Sequence, residues 1–296
     1  MILSLILQTE TIVMRYFSLF ILLVCSQALF AQLSITVRTA AEFLNALGPN
    51  RTIWVEPGDY VLSQAAFTPN DYIEWFQAYD GPEATLKGVK NLTIKGKGNP
   101  RILTEPRYAW VLAFRESGNL HFEGITFGHT EAGYCEGGVL LFDKCHNITI
   151  KNCNLYGSGT VGLTLNEVKQ FSFLKSHIYE CTYAIMSLNL SSNLIFSGAS
   201  FTKTGSFDLV EIVECNQVSF EKCKFSDNFN DPFAPWFFRI DSSWLTEFNN
   251  IKPGNSRQII IKSCLFENNN VHKFCNEIEK LTLEKNSFKN NLFIKP

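Results

Sequence analysis

A short phrase recurs along this chain with a period that leaves few folds open. It runs from Gln170 to Ile178, again from Asn193 to Phe201, and again from Gln217 to Phe225. Each copy opens on Asn or Gln and continues with two apolar residues that have one residue between them. Three residues after the second comes a small residue, as at Ser176, Ala199 and Cys223, followed two residues on by another apolar one. The first apolar residues are Phe171, Leu194 and Val218, so the steps are 23 and 24 residues. Upstream copies are anchored on Leu120 and Ile148, and downstream copies on Ile259 and Leu281. A period in the low twenties is the mark of a solenoid.

Within each unit the apolar residues alternate, as in Val218 and Phe220 or Cys223 and Phe225, which is the pattern of a strand with one buried face. A third alternating pair precedes them at a constant offset: Leu112/Phe114, Leu140/Phe142, Leu163/Leu165, Met186/Leu188 and Val210/Ile212. Three short strands in so few residues leave no room for helices or hairpins. Each strand therefore pairs with its counterpart one coil on, about 4.8 Å away. The expected fold is all-β, a single-stranded parallel β-helix of roughly 22–28 residues per coil that buries its core only by stacking. Small residues mark two corners. One column holds Ile125, Cys153, Ser176, Ala199, Cys223, Cys264 and Asn286; the other holds Ser117, Cys145, Val168, Ser191 and Cys215.

The Asn-apolar-x-apolar-x-x-Cys/Asn phrase resembles the repeats of right-handed parallel β-helix proteins of the pectin-lyase-like superfamily. The resemblance covers Ser34 to Asn291 and implies the right hand of the coil. For chemistry it implies a range, since that superfamily includes lyases, hydrolases, esterases, epimerases and non-catalytic adhesins.

Residues 1–31 read as a signal peptide, with Met14 an alternative start. Met14-Arg15 opens a compact basic region, an apolar run follows from Tyr16 to Val24, and small residues appear at Ala28 and Ala31. The run is too short for a membrane span. Cleavage after Ala31 and a secreted, periplasmic or cell-surface location follow as expectations; lipoprotein processing at Cys25 is disfavoured by the bulky Val24. Residues 32–90 are expected to hold a capping helix and the first coils, and 91–296 the regular coils. Thr39 and Glu42 form a capping box for that helix, which Gly48-Pro49 ends. Residues 64–82 read as irregular and aromatic, with a turn at Tyr79 to Pro82.

A formal net charge of −2 over 296 residues argues against nucleic acid and against electrostatic docking on anionic membrane. Of the nine cysteines, Cys145, Cys153, Cys215, Cys223 and Cys264 fall on corner columns, where they read as small core residues that stay reduced. Cys135, Cys181 and Cys275 lie outside those columns. No CxxC pair is present, which argues against zinc.

Candidate site residues come from the places where the period slips. From Leu92 to Leu120 and from Leu120 to Ile148 the steps lengthen to 28, and the extra residues precede the third strand in consecutive coils. Those loops bring together Glu105, Arg107, Tyr108, His129, Glu131, Tyr134 and Glu136. Arg107, His129, Glu131 and Tyr134 are candidate catalytic groups, and Glu105 and Tyr108 candidate substrate contacts. A structural reading stands beside this one: Arg107 pairs with a glutamate while His129 and the tyrosines brace the loop. The outward positions of the third strand add Arg115, Asp143, Glu211 and Arg239, although Glu211 and Arg239 equally suit an inter-coil ion pair. A larger slip, 41 residues from Val218 to Ile259, is expected as an insertion at about 227–256. Its aromatic stretch Pro232 to Phe238, with Trp236, Trp244 and Phe248, either walls a groove or packs as structure.

Two functions fit. One is an exported protein that binds polysaccharide or cell-surface glycan and cleaves it, by β-elimination in preference to hydrolysis. A lyase needs a base and a cation to offset a uronate carboxylate. The sequence lacks the clustered aspartates that the resembling calcium-dependent pectate lyases carry on adjacent coils, so no cofactor is assigned, with Ca²⁺ the one to consider. It also lacks the polygalacturonase-like motifs. The other function is a non-catalytic glycan- or protein-binding module. A monomer is expected in either case.

Overall fold

The computed structural model describes residues 32–131, 137–157, 160–242 and 254–293. Among these the strands fall into three long parallel sheets whose order follows the coils one by one, as a solenoid of about 8 turns. Sheet A carries the repeated phrase, for example Lys169–Leu174, Ser192–Ser197 and Asn216–Glu221. Sheet B carries the short second strand, such as Ser200–Thr202 and Lys224–Ser226. Sheet C carries the third, such as Ala184–Asn189 and Val210–Val213. The register is the one the repeat dictates: Phe171 pairs with Leu194, Leu194 with Val218 and Val218 with Ile259.

The corners explain why particular residue types recur. Each corner places one residue in the left-handed region, including Asn119, Asn147, Gln170, Asn193 and Gln217 at the head of sheet A, with φ between 52° and 63°. Asparagine tolerates that conformation better than most residues. The amides also bond one another along the axis, Asn147 donating to Asn119 and Asn119 to Asn91, each at 2.8 Å. On the small-residue columns the side chain accepts from a backbone N–H one coil back. Ser191 Oγ accepts from Val168 N at 2.9 Å, Ser176 Oγ from Cys153 N at 3.0 Å, and Cys264 Sγ from Cys223 N at 3.4 Å. Buried backbone donors are thereby satisfied where no ladder partner exists. Burial pushes the Cys145 and Cys215 thiols up to about 12 and that of Cys153 to about 11.

A third corner column, after sheet B, went unread in the sequence. It contains Cys181, Thr204, Asn228, Asn269 and Asn291. Thr204 N donates to Asn228 Oδ1, Asn228 N to Asn269 Oδ1 and Asn269 N to Asn291 Oδ1, at 3.1, 3.2 and 3.0 Å. Cys181 therefore belongs to a column after all.

Inside, phenylalanines stack from coil to coil. Phe201, Phe225, Phe266 and Phe288 form one column with centroids 4.8, 4.8 and 5.0 Å apart, and Phe196 lies 4.7 Å from Phe220. The spacing matches the strand repeat, so registered strands bring like rings into contact.

Helix α1, Ala40–Ala46, buries Phe43, Leu44 and Ala46 over the first coils, and Thr39 Oγ1 accepts from Glu42 N at 3.1 Å. Two expectations change. Residues 64–82 are more ordered than expected: Ile73–Ala78 pairs antiparallel with Gly81–Lys87, a hairpin that edges sheet C. The stretch 227–242 is not all insertion, because Trp236–Ile240 is a regular strand in register with Val210–Val213; the step from Val210 to Phe238 is 28 residues, so a few extra residues precede Trp236 and most of the excess falls after Ile240. That excess is closed at its base by Asp241. Its side chain accepts from Ser256 N at 2.7 Å, from Ser256 Oγ, and from Lys280 Nζ at 2.6 Å, and its carbonyl accepts from Gly254 N at 3.1 Å. Phe237 and Phe238 are wholly buried core residues, so for that part of the aromatic stretch the packing alternative holds. Trp244 and Phe248, the leader at 1–31 and its Cys25 lie outside the described residues.

Phe220 contacts rings on both sides of the core. Replacing it by Ala is expected to cost about 3–5 kcal/mol, read as a fall in the denaturant midpoint.

Candidate functional site

The two period-slip loops use their charges on each other. The Arg107 guanidinium pairs with the Glu131 carboxylate. The backbone N–H groups of Arg107 and Tyr108 donate to Asp80, at 2.6 and 3.1 Å, within the turn read at Tyr79 to Pro82. Glu105 accepts from Ser63 Oγ at 2.9 Å and Gln64 Nε2 at 2.8 Å, which ties the loop to the first coil. The Tyr108 ring lies 5.0 Å from that of Tyr79. His129 is only 1% exposed, and its Nε2 is 3.0 Å from the Ala109 carbonyl. Burial lowers its pKa, and its Nδ1 is buried without a hydrogen-bond partner among the described residues. Tyr134 and Glu136 lie outside the described residues.

The outward face of sheet C gathers a different set. Its register aligns Thr164, Ser187, Glu211 and Arg239 across four coils, placing Arg239 where the sequence put it. At the entry to each strand the alternation breaks. Ile185 N and Met186 N both donate to Leu209 O, at 2.8 and 3.2 Å, and Leu209 and Val210 are both wholly buried. Two successive inward residues bring positions three apart to the same outward face. Asp208 thereby joins Glu211, and Trp236 joins Arg239.

The result is a compact charged cluster. Arg239 Nη1 lies 2.6 Å from Asp208 Oδ2, with side chains 6% and 4% exposed. Asp208 Oδ1 accepts from Trp236 N at 2.9 Å, and Arg239 Nε donates to Ser242 Oγ at 3.2 Å. Beside this pair, half-buried Glu211 has Ser187 Oγ at 3.5 Å. Desolvation, then the Asp208 charge, push its carboxyl up to about 7, while Arg239 and Ser187 act in the opposite sense. A carboxyl poised there can give or take a proton near neutrality.

At the other end of the face Arg115 lies 5.3 Å over the Phe76 ring. Its buried Nε has no hydrogen-bond partner among the described residues. Asp143, next to it in register, accepts from Asn166 Nδ2 at 2.6 Å. Nearby Glu83 accepts from Trp110 N at 2.8 Å, and desolvation raises its pKa. The sequence-predicted residues thus fall into three places: the braced loops, the Arg115 end, and the Glu211 end, where Asp208 and Ser187 complete the group. Among the described residues no three His, Cys, Asp or Glu side chains converge as a metal site would need, so no step is routed through Ca²⁺. Two other concavities, of about 460 and 530 Å³, lie along the outer face of sheet A near Ile195 and Ile260 and at the corner near Lys144 and Leu190. The first is lined by no titratable side chain, whereas Lys144, His146, Glu167 and Lys169 line the second.

The sequence profile described as "Right handed beta helix region" matches residues 137–294, just over half of the chain. The chain belongs to this right-handed β-helix family. Its fold is a right-handed parallel β-solenoid, consistent with the pectin-lyase-like superfamily. Among solved structures, an alginate lyase from Paenibacillus sp. str. FPU-7 is similar with a TM-score of 0.54 and 10% identity, over 90% of this chain and 100% of that one. The pectate lyase pelN from Paenibacillus sp. 0602 gives 0.50 and 10% over 80% of this chain and 78% of that one. PfbA, a surface adhesin of Streptococcus pneumoniae, gives 0.52 and 12% over 89% and 71%. At such identities the likeness is one of fold. No curated protein matches the sequence. No helix among the described residues is long and apolar enough to cross a membrane.

Glu211 carries a stability signature of its own. A raised folded pKa contributes stability below the unfolded value of 4.5, and that contribution is lost as pH rises through about 7. Glu211→Gln is therefore expected to stabilise the protein at pH 8, by on the order of 2 kcal/mol, and to leave it nearly unchanged at pH 4. Denaturant titrations at the two pH values check this.

Proposed function

We propose that this chain is an exported β-helix protein that binds an acidic polysaccharide along the outward face of sheet C and cleaves it by β-elimination at Glu211. The observation that carries the proposal is a carboxyl brought to about 7 on an outward strand position, one register step from the Arg239 guanidinium. In its ionised form Glu211 takes the proton from the carbon beside a uronate carboxylate. The electron pair of that C–H bond becomes the new double bond, and the glycosidic oxygen leaves with its electrons and takes a proton from water to become a hydroxyl. The negative charge that builds on the carboxylate is offset by Arg239, which Asp208 holds in place. Arg115, five coil steps or roughly 24 Å from Arg239 along the face, suits a second carboxylate of the same chain. The lyases among the similar structures support this reading. The leader-like residues 1–31 support export.

A non-catalytic glycan-binding module is the second reading, supported by the close ion pair that already occupies Arg239 and by the adhesin among the similar structures.

β-Elimination creates an absorbing unsaturated product, so ultraviolet absorbance on alginate and polygalacturonate decides between the two. The lyase reading expects kcat/KM to rise with pH through about 7, since the base acts ionised, and Glu211→Gln to lose about 10²–10⁴-fold in kcat. Binding without any absorbing product on either polymer would establish the module instead.

A further inference from the structure

We infer that Tyr183, Phe207 and Phe233 form a sugar-stacking wall beside Glu211, which grips the apolar ring faces of a glycan laid along the solenoid axis. The inference rests on the glycan reading above and adds what selects the ligand. The three rings come from consecutive coils, with Tyr183 and Phe207 4.6 Å apart at 58° and Phe207 and Phe233 5.3 Å apart at 77°. Rings tilted in this way do not hide each other's faces as the parallel stacks of the core do. Phe207 is 37% exposed and Phe233 is 68% exposed, although water contact is the costly state for a phenyl ring.

Position ties the row to the charged cluster. Phe207 immediately precedes Asp208, and Phe233 lies just before Trp236, whose N–H donates to Asp208. The row is therefore a rim of the face that carries Ser187, Glu211 and Arg239. A pyranose ring has the complementary chemistry: a face of C–H groups for the aromatic rim, and an edge of hydroxyls for the polar floor. The row is three rings, with Ser206 beside Phe207 and Asp231 two residues before Phe233 along the chain. A protein partner of ordinary affinity needs an interface of about 1,000 Å² or more, which favours a sugar as the occupant. Aromatic faces read ring shape rather than charge, so the wall distinguishes glycans by whether a C–H face is unobstructed, while Arg239 and Arg115 read the carboxylates.

The test uses the full chain with Phe207→Ser, Phe233→Ser, the double variant, and the aromatic replacement Phe233→Trp. Ile195→Ser, exposed on the outer face of sheet A, serves as the control. Affinity electrophoresis in alginate and polygalacturonate gives binding, ultraviolet turnover gives KM and kcat, and light scattering gives mass. Each Ser variant is expected to bind roughly fivefold more weakly and the double variant more than about tenfold. KM rises while kcat holds within about twofold, and Phe233→Trp and Ile195→Ser bind as the parent does. A parent that binds and a double variant that binds equally well would overturn the wall and leave the glycan reading intact. Weakened binding in Ile195→Ser alone would move the ligand to sheet A and overturn it too. A change of mass in the double variant would make the row a contact between copies of this chain. A parent that binds neither polymer would remove both the wall and the reading beneath it.

Discussion

A coil of this chain buries nothing until its neighbour arrives. Its strands have no partners within the coil, and its apolar residues face a core only one ring thick. The structure depends on what happens at the corners, where the ladder lapses and backbone N–H groups point at other backbone. There the serine, cysteine, threonine and asparagine columns supply the missing acceptors. An unpaired buried N–H costs about 1–3 kcal/mol, and the same omission repeated down a column would exceed the stability of an ordinary domain. The phenylalanine stacks are possible because the corners hold every coil at the same height.

That rigidity lets the outer face of sheet C hold an arrangement that does not favour folding. Glu211 is desolvated beside a second carboxylate, and the Asp208–Arg239 pair is almost closed to water. Removing one member of such a pair leaves a buried charge, which is far costlier than never having had the pair. The bulge before each strand causes the cluster. It turns two successive apolar residues inward and so releases Asp208 and Trp236 to the face already occupied by Glu211 and Arg239.

The fold was legible because core-facing residues answer to the period: Leu194, Val218 and Ile259 have no choice of face. Glu211 and Arg239 were legible as positions for the same reason, since register carries outward residues with inward ones. Asp208 was not, because strict alternation assigns residues three apart to opposite faces, and only the doubly bonded Leu209 carbonyl shows that alternation fails there. His129 had two readings in the sequence, a catalytic candidate or a brace for its loop, and only the burial of its strand, Thr126–His129, shows how little of it meets solvent. The hairpin at Ile73–Ala78 was hidden because it interrupts the period before the regular coils begin, where no repeat yet exists to compare it with. The Asn228, Asn269 and Asn291 column was spelled out in the sequence, but its spacing straddles the lengthened step and so did not register as a repeat.

The Asp241 clamp carries a consequence for how such a chain can vary. One carboxylate binds the strand that ends at Ile240, the Ser256 that opens the next coil, and a lysine of the coil beyond. The two ends of the intervening stretch are fixed whatever lies between them. Doubling the length of a loop with fixed ends adds only about 0.6 kcal/mol, so this corner is a port: sequence can be lengthened, shortened or exchanged there while coil height and register stay where the solenoid set them.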